Sequence, residues 1–189
     1  MTEAVRAMLD SRLAEIRAAG TYKDERVIQG PQGIRVRLMP NREVLNFCAN
    51  NYLGLASDER LQEAMISAIR QYGSSMCGTP IATGYARILA ELEQELARFV
   101  GLEAVLVFPS CYQANVALFS SIATAQDLII VDHDAHASLT HGIKAVGCKI
   151  RPFRHNDVEH LERQLAASAG FRQAFVVTES VFSTEGSVA

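Results

Sequence analysis

Apolar positions near the start of the chain recur at helical spacing. Val5, Met8, Leu9, Leu13 and Ile16 share one face and predict an amphipathic helix to about Ala19. Gly30, Pro31 and Gly33 mark a turn, after which Ile34-Arg35-Val36-Arg37-Leu38 alternates strictly between apolar and polar. A second short strand, Val44 to Phe47, follows Pro40-Asn41, and the two read as a small β-hairpin. Ser57 or Asp58 is placed to cap a helix carrying Leu61, Ala64, Met65, Ala68 and Ile69, which stops near Tyr72. Residues 73–84 read as a loop. The next helix runs from about Ala86 to Phe99, with Leu89, Leu92, Leu96 and Phe99 on one side and Gly101 at its end.

Beyond Gly101 the pattern becomes regular. Apolar runs at Ala104 to Phe108, Leu128 to Val131, Cys148 to Phe153 and Ala174 to Thr178 alternate with helices beginning near Cys111, Ala137 and Val158. Runs that are apolar throughout predict strands buried on both faces, and helices between them allow parallel crossovers. The expected fold is α/β: an open, mostly parallel sheet with flanking helices, preceded by the N-terminal helix and hairpin. The composition shift divides the chain into residues 1–57, holding helix, hairpin and an asparagine-rich loop, and residues 58–189, the α/β part.

Composition narrows the function classes. The chain has 189 residues, 49% of them hydrophobic, and a net charge of −3, with basic residues scattered rather than gathered in a stripe. That argues against a nucleic-acid partner. The opening MTEAVRAMLDSRLAEIRAAG lacks a continuous apolar core, so neither a targeting segment nor a membrane association is expected. Four cysteines, Cys48, Cys77, Cys111 and Cys148, stand far apart without a CxxC pair, which points to a reducing, cytoplasmic setting.

In open α/β sheets ligands gather at the carboxyl ends of strands, and three such ends carry chemistry. After Phe108 the run PSCYQAN turns from strand into helix and offers the backbone N–H groups of Cys111 and Tyr112 to an anion, most naturally a phosphate. Capping by Ser110 alone explains the same residues. After Val131, DHDAHAS places His133 and His136 among Asp132 and Asp134. A metal reading competes there with a histidine that caps the next helix or covers an aromatic ligand, and no further His or Cys cluster completes a zinc set, so no metal is assigned. After Thr178, ESVFSTEG supplies the hydroxyls of Ser183 and Thr184, with Gly186 permitting a tight return. An anion seat, an imidazole and hydroxyls in chain order are what a phosphorylated aromatic cofactor requires.

A fourth stretch stands apart. NFCANNYLGL at 46–55 interleaves Asn50 and Asn51 with Phe47, Tyr52, Leu53 and Leu55, more apolar than an ordinary Asx-rich loop. Together with GTPIATGY at 78–85, LEQELARFVG at 92–101, PSCYQAN at 109–115, DAHAS at 134–138 and ESVFSTEG at 179–186, it resembles the α-oxoamine synthase family. NFCANNYLGL and PSCY are most similar to the glycine C-acetyltransferase branch, and the TGY segment to the 8-amino-7-oxononanoate synthase branch.

The resemblance implies a fold of the aspartate aminotransferase superfamily, with residues 58–189 as the first part of its large α/β domain, and a homodimer with its active site at the interface. It further implies pyridoxal 5'-phosphate as cofactor, and an amino acid and an acyl-CoA or acyl-carrier thioester as substrates. Position by position, it implies that the Cys111 and Tyr112 amides hold the cofactor phosphate, that His136 stacks on the pyridine ring as the catalytic histidine, and that Ser183 hydrogen-bonds the phenolic oxygen. Asn50 would lie near the substrate carboxylate. Pro80 and Leu89 stand where several relatives carry Arg and His, which leaves the acyl group open. The family's Schiff-base lysine falls beyond Ala189, and Lys23, Lys144 and Lys149 are not placed to replace it, so the expectation is an N-terminal portion that is inactive alone.

Two further function classes stay in view: an aminotransferase-like enzyme on the same scaffold, and a non-catalytic subunit paired with a lysine-bearing partner. A metal hydrolase built on Asp132, His133 and His136 and a thiol enzyme using Cys111 are both disfavoured, the latter because the glycine-flanked nucleophile elbow is absent.

Overall fold

The computed structural model describes residues 2–189. By contact the chain divides into two compact units, Met1–Gly84 and Tyr85–Ala189. The division falls later than the composition shift at residue 57 and groups the helix after Asp58 with the N-terminal sheet.

In the first unit, helix α1 (Glu3–Ala18) precedes an antiparallel sheet of β1 (Ile28–Gln29), β2 (Arg35–Leu38) and β3 (Arg42–Leu45), in the order β1-β2-β3. The expected hairpin is therefore a three-stranded sheet, β1 being too short to leave a periodic trace. Pairing of Leu38 with Arg42 and of Arg35 with Leu45 sets the register and starts β3 two residues earlier than its apolar run suggests. Val36 and Leu38 are buried while Arg35 and Arg37 are exposed, the period of two that the alternation predicts. Helix α2 (Glu59–Tyr72) is capped by Asp58, whose side chain accepts from the Arg60 N–H. A four-residue helix α3 (Pro80–Thr83) occupies part of the segment expected to be loop. Pro80 sits at its first position, where its missing N–H costs nothing.

The second unit contains α4 (Arg87–Val100), α5 (Cys111–Ile122), β4 (Leu128–Asp132), α6 (Ala137–Val146), β5 (Lys149–Phe153), α7 (Val158–Ala166) and β6 (Ala174–Val177). The strands form a parallel sheet in the order β5-β4-β6. Every residue of the central β4 is buried, as its unbroken apolar run requires. Its side chains serve two layers by alternation. Ile129 and Val131 join Phe119, Ala123 and Ile143 of the α5–α6 side, and Leu128 and Ile130 join Phe153, with Leu161 and Phe171 against them. Each such side chain contributes about 1.5–3 kcal/mol on burial, so β4 is the mechanical centre of the sheet.

One expected strand is missing. Residues 104–108 form no strand and pair with no neighbour among the described residues, and Leu106 is 76% exposed. The Val107 N–H goes to Glu93 Oε1 at 2.9 Å. An apolar run states a preference for β structure, but a ladder also needs an adjacent strand to receive its N–H and C=O groups.

At the amino edge of the sheet, Asp127 is buried and doubly bonded by Arg172, at 2.8 Å from Nε and 2.6 Å from the terminal nitrogen, and takes the Thr124 N–H at 2.7 Å. Arg172, helped by the Thr124 amide and hydroxyl, outweighs burial and holds this carboxyl at about 2. This ion pair ties the turn before β4 to the turn before β6.

Candidate functional site

At the carboxyl edge, the strand ends converge with two helix starts. Ser110 takes an extended conformation before α5 and accepts the Gln113 N–H on its hydroxyl at 3.2 Å. Cys111 and Tyr112 are the first two residues of that helix, and their N–H groups have no partner among the described residues. The Tyr112 hydroxyl meets Nδ1 of His141 in α6.

His136 occupies the N-cap of α6 and caps it through its side chain, as the capping reading expects. Its Nδ1 accepts the Ser138 N–H at 3.2 Å and stands 2.6 Å from the Ser138 hydroxyl. A backbone N–H only donates, so Nδ1 carries no hydrogen, and the tautomer that fits has its hydrogen on Nε2. Ser138, 1% exposed, takes Asn115 Nδ2 on its hydroxyl oxygen at 2.8 Å, which couples the ring to α5. From the other side, the His136 N–H donates to Glu179 Oε1 at 2.5 Å. The imidazole is thereby held by its Nδ1 edge, and the residue stays exposed.

Two adjoining cavities share His136 and Glu179. One, of about 500 Å³, is lined by Cys111, Tyr112, Asn115 and Thr178, and the other, of about 450 Å³, by His133, Asp134, Phe182, Ser183 and Thr184. Cys111, Tyr112 and His136 thus meet in a single hollow. Ser183 stands in the neighbouring one, on a turn closed by the Phe182 N–H on the Ser187 carbonyl at 2.8 Å, with Gly186 in the left-handed region at φ 68°. His133 is 75% exposed and pairs with Asp134, and among the described residues no group of three or more His, Cys, Asp or Glu is arranged to hold a metal.

Asn50 belongs to the first unit, where it lines a hollow of about 700 Å³ with Ile28, Gln32, Cys48 and Leu55. The neighbouring asparagines build the loop: Asn46 accepts the Cys48 N–H at 3.1 Å and Asn51 the Ala56 N–H at 3.1 Å. Among the described residues the Asn50 side chain meets the Tyr52 hydroxyl alone, at 3.5 Å, and of the three loop asparagines it is the one left available to a ligand.

Asn115, Ser138 and Glu179 stand inside the motifs, but sequence reasoning gave none of them a role, and it missed a cluster around Asp132. That buried carboxylate accepts the N–H groups of Asp134 at 2.9 Å and Asn156 at 3.1 Å and contacts His155 Nδ1 at 3.0 Å. Burial is the largest influence on Asp132 and opposes its charge, but these bonds together outweigh it and hold the carboxyl below its ordinary value. The signal was present: His155-Asn156-Asp157 follows β5, a fourth strand end open to the rule that singled out the other three.

The aminotransferase class I and II family matches residues 42–189. The human mitochondrial 2-amino-3-ketobutyrate coenzyme A ligase is 37% identical over 186 residues, covering 98% of this chain and 44% of that protein. The serine palmitoyltransferase of Sphingomonas wittichii superposes with a TM-score of 0.86 at 28% identity, over 99% of this chain and 47% of that one. The serine palmitoyltransferase of S. paucimobilis with bound PLP-myriocin aldimine gives 0.86 at 27% identity, over 96% and 46%. The chain spans less than half the length of each of these relatives. With the parallel sheet and its strand-end cavities, these matches show that the chain belongs to the aminotransferase class I and II family. Within that family its relatives are α-oxoamine synthases, the group that its motifs resemble.

Proposed function

We propose that the whole protein is a pyridoxal 5'-phosphate-dependent acyltransferase of the α-oxoamine synthase type, joining an amino acid to an acyl thioester such as an acyl-coenzyme A. The observation that carries this reading is the position of His136, which lines two adjoining cavities, one shared with Cys111 and Tyr112, whose N–H groups have no partner among the described residues, and the other with Ser183. That donor set fits an aromatic ligand with an anionic arm and a phenolic oxygen.

In this reading the α5 N-terminus binds the phosphate through two amides and the helix dipole. The His136 ring limits the tilt of the cofactor ring, and its two bonds at Nδ1 prevent it from swinging away. Ser183 hydrogen-bonds the phenolic oxygen, Glu179 fixes the backbone of His136, and Asn50 is assigned to the amino acid carboxylate. When bound, the cofactor supplies the electron sink for the carbanion formed at the amino acid α-carbon. Apolar side chains left open in the N-terminal unit, with Phe47 at 89% and Tyr52 at 88% exposure, support assembly as a homodimer. The free cysteines fit a reducing, cytoplasmic location.

The test is made on the full gene product. Titration with pyridoxal phosphate is expected to give a saturable visible band, and addition of an amino acid with acyl-coenzyme A to release free coenzyme A. Binding without thiol release, but with conversion of amino acid to keto acid, would replace the acyltransferase by an aminotransferase. Absence of saturable binding would remove the cofactor reading altogether.

A further inference from the structure

The cluster around Asp132 crosses all three strand ends of the sheet. Oδ1 of this buried carboxylate, at the end of β4, contacts His155 Nδ1 at 3.0 Å, and Nε2 of the same ring lies 2.9 Å from the Ser187 hydroxyl in the turn after β6. The ionised carboxylate only accepts, so Nδ1 carries a hydrogen, and in the neutral ring Nε2 is left to accept from Ser187. The His155 ring also stands edge-on to Phe182, with centroids 4.4 Å apart and planes at 89°. Next to it, Asn156 donates its N–H to Asp132 Oδ2 at 3.1 Å and its side-chain amide to the Val188 carbonyl at 2.9 Å. Asp132 also takes the Asp134 N–H on Oδ1 at 2.9 Å and thereby shapes the turn that leads into His136.

A carboxylate, an imidazole and a hydroxyl in this order are also the elements of a nucleophilic serine. Such a serine needs amides aimed at a developing oxyanion. Here three N–H groups of the turn, those of Phe182, Gly186 and Ala189, are bonded to its own carbonyls. What the relay does accomplish is mechanical: Phe182 and Ser187 bracket Ser183, and both rest on His155.

We propose that His155 is a positioning residue of the ligand site: by clamping Phe182 and Ser187 to Asp132, it sets where the Ser183 hydroxyl stands relative to His136. This rests on the proposed cofactor function and extends it to a residue that touches no ligand.

The test uses the full gene product with His155→Asn, Ser183→Ala and the double variant. Asparagine keeps a donor near the Nδ1 position, so Asp132 stays paired and the protein folds, but it is too short to reach Ser187 or to pack on Phe182. The expected result for His155→Asn is about tenfold weaker pyridoxal phosphate binding, the scale of one lost hydrogen bond. Its visible band should shift in the same direction as that of Ser183→Ala, and the double variant should bind no more weakly than Ser183→Ala alone. Without cofactor, hydrogen exchange in residues 181–188 should quicken in His155→Asn. Wild-type affinity and band in His155→Asn, or fully additive losses in the double variant, would overturn the proposal. If the wild-type protein does not bind the cofactor, the functional reading fails instead, and unchanged exchange would then overturn the clamp and quickened exchange sustain it.

Discussion

Gly142 in α6 lies so close to α5 that a β-carbon at this position would sit 2.6 Å from the carbonyl oxygen of Asn115 and 2.9 Å from Cα of Val116. Both obstacles are backbone and cannot swing aside. The contact sets the spacing between the helix that offers Cys111 and Tyr112 and the helix that His136 caps.

Gly142→Ala therefore tests the spacing. In an open helix the change would gain up to ~1 kcal/mol from propensity, but overpacking against backbone costs ~1–3 kcal/mol and wins. Denaturant unfolding is expected to show a net loss of stability, and titration of the full protein a weaker hold on pyridoxal phosphate. A variant at least as stable as wild type would show that α5 and α6 separate freely.

Ser110→Ala removes the cap of α5. Loss of the bond to the Gln113 N–H should destabilise the protein by ~1 kcal/mol. The freed turn should weaken binding of inorganic phosphate and of the cofactor together, because both use the same amides. Calorimetric titration with each ligand checks this.

His136 combines a cap with a ring, and two substitutions separate the roles. Asparagine is a good N-cap residue, so His136→Asn should stay within ~0.5 kcal/mol of wild type, whereas His136→Ala should lose ~1 kcal/mol. Both lack the ring, and both should lose cofactor affinity by a similar factor. Equal binding by wild type and His136→Asn would remove the ring from the site.

Acid stability should carry the mark of Asp127. Its carboxyl is held at about 2, below the ordinary 3.8, so its contribution is complete above pH 3.8 and is lost as pH falls toward about 2. Circular dichroism across that window should show stability falling in wild type. In Asp127→Asn the dependence should be shallower on a lower baseline, since Arg172 loses its partner.

What the sequence disclosed and withheld follows from what periodicity encodes. The unbroken run Leu128 to Val131 announces a strand buried on both faces, and the polar residues after it announce a site, because neither statement needs knowledge of neighbours. Residues 104–108 carry the same kind of run without forming a ladder, since pairing depends on another segment. His136 and Ser183 were legible as residues after strands, and Cys111 and Tyr112 as the start of a helix, although the strand expected before them does not form. Their distribution over two cavities was not, because it depends on how the turn after β6 folds back. Ser138 and Glu179 look like ordinary polar residues in the chain, and only tertiary contacts reveal that both hold His136. His155 is different: it follows β5, so its place at a strand end is visible in the chain itself.

Adjacent isoleucines 129 and 130 belong to opposite layers of the sheet. Deleting or inserting a single residue within β4 would exchange the two sets of apolar contacts and rotate Asp132 out of its nest of donors. Length variation in this strand should therefore be far less tolerated than conservative replacement, and a library of indels across the sheet should show its deepest trough there.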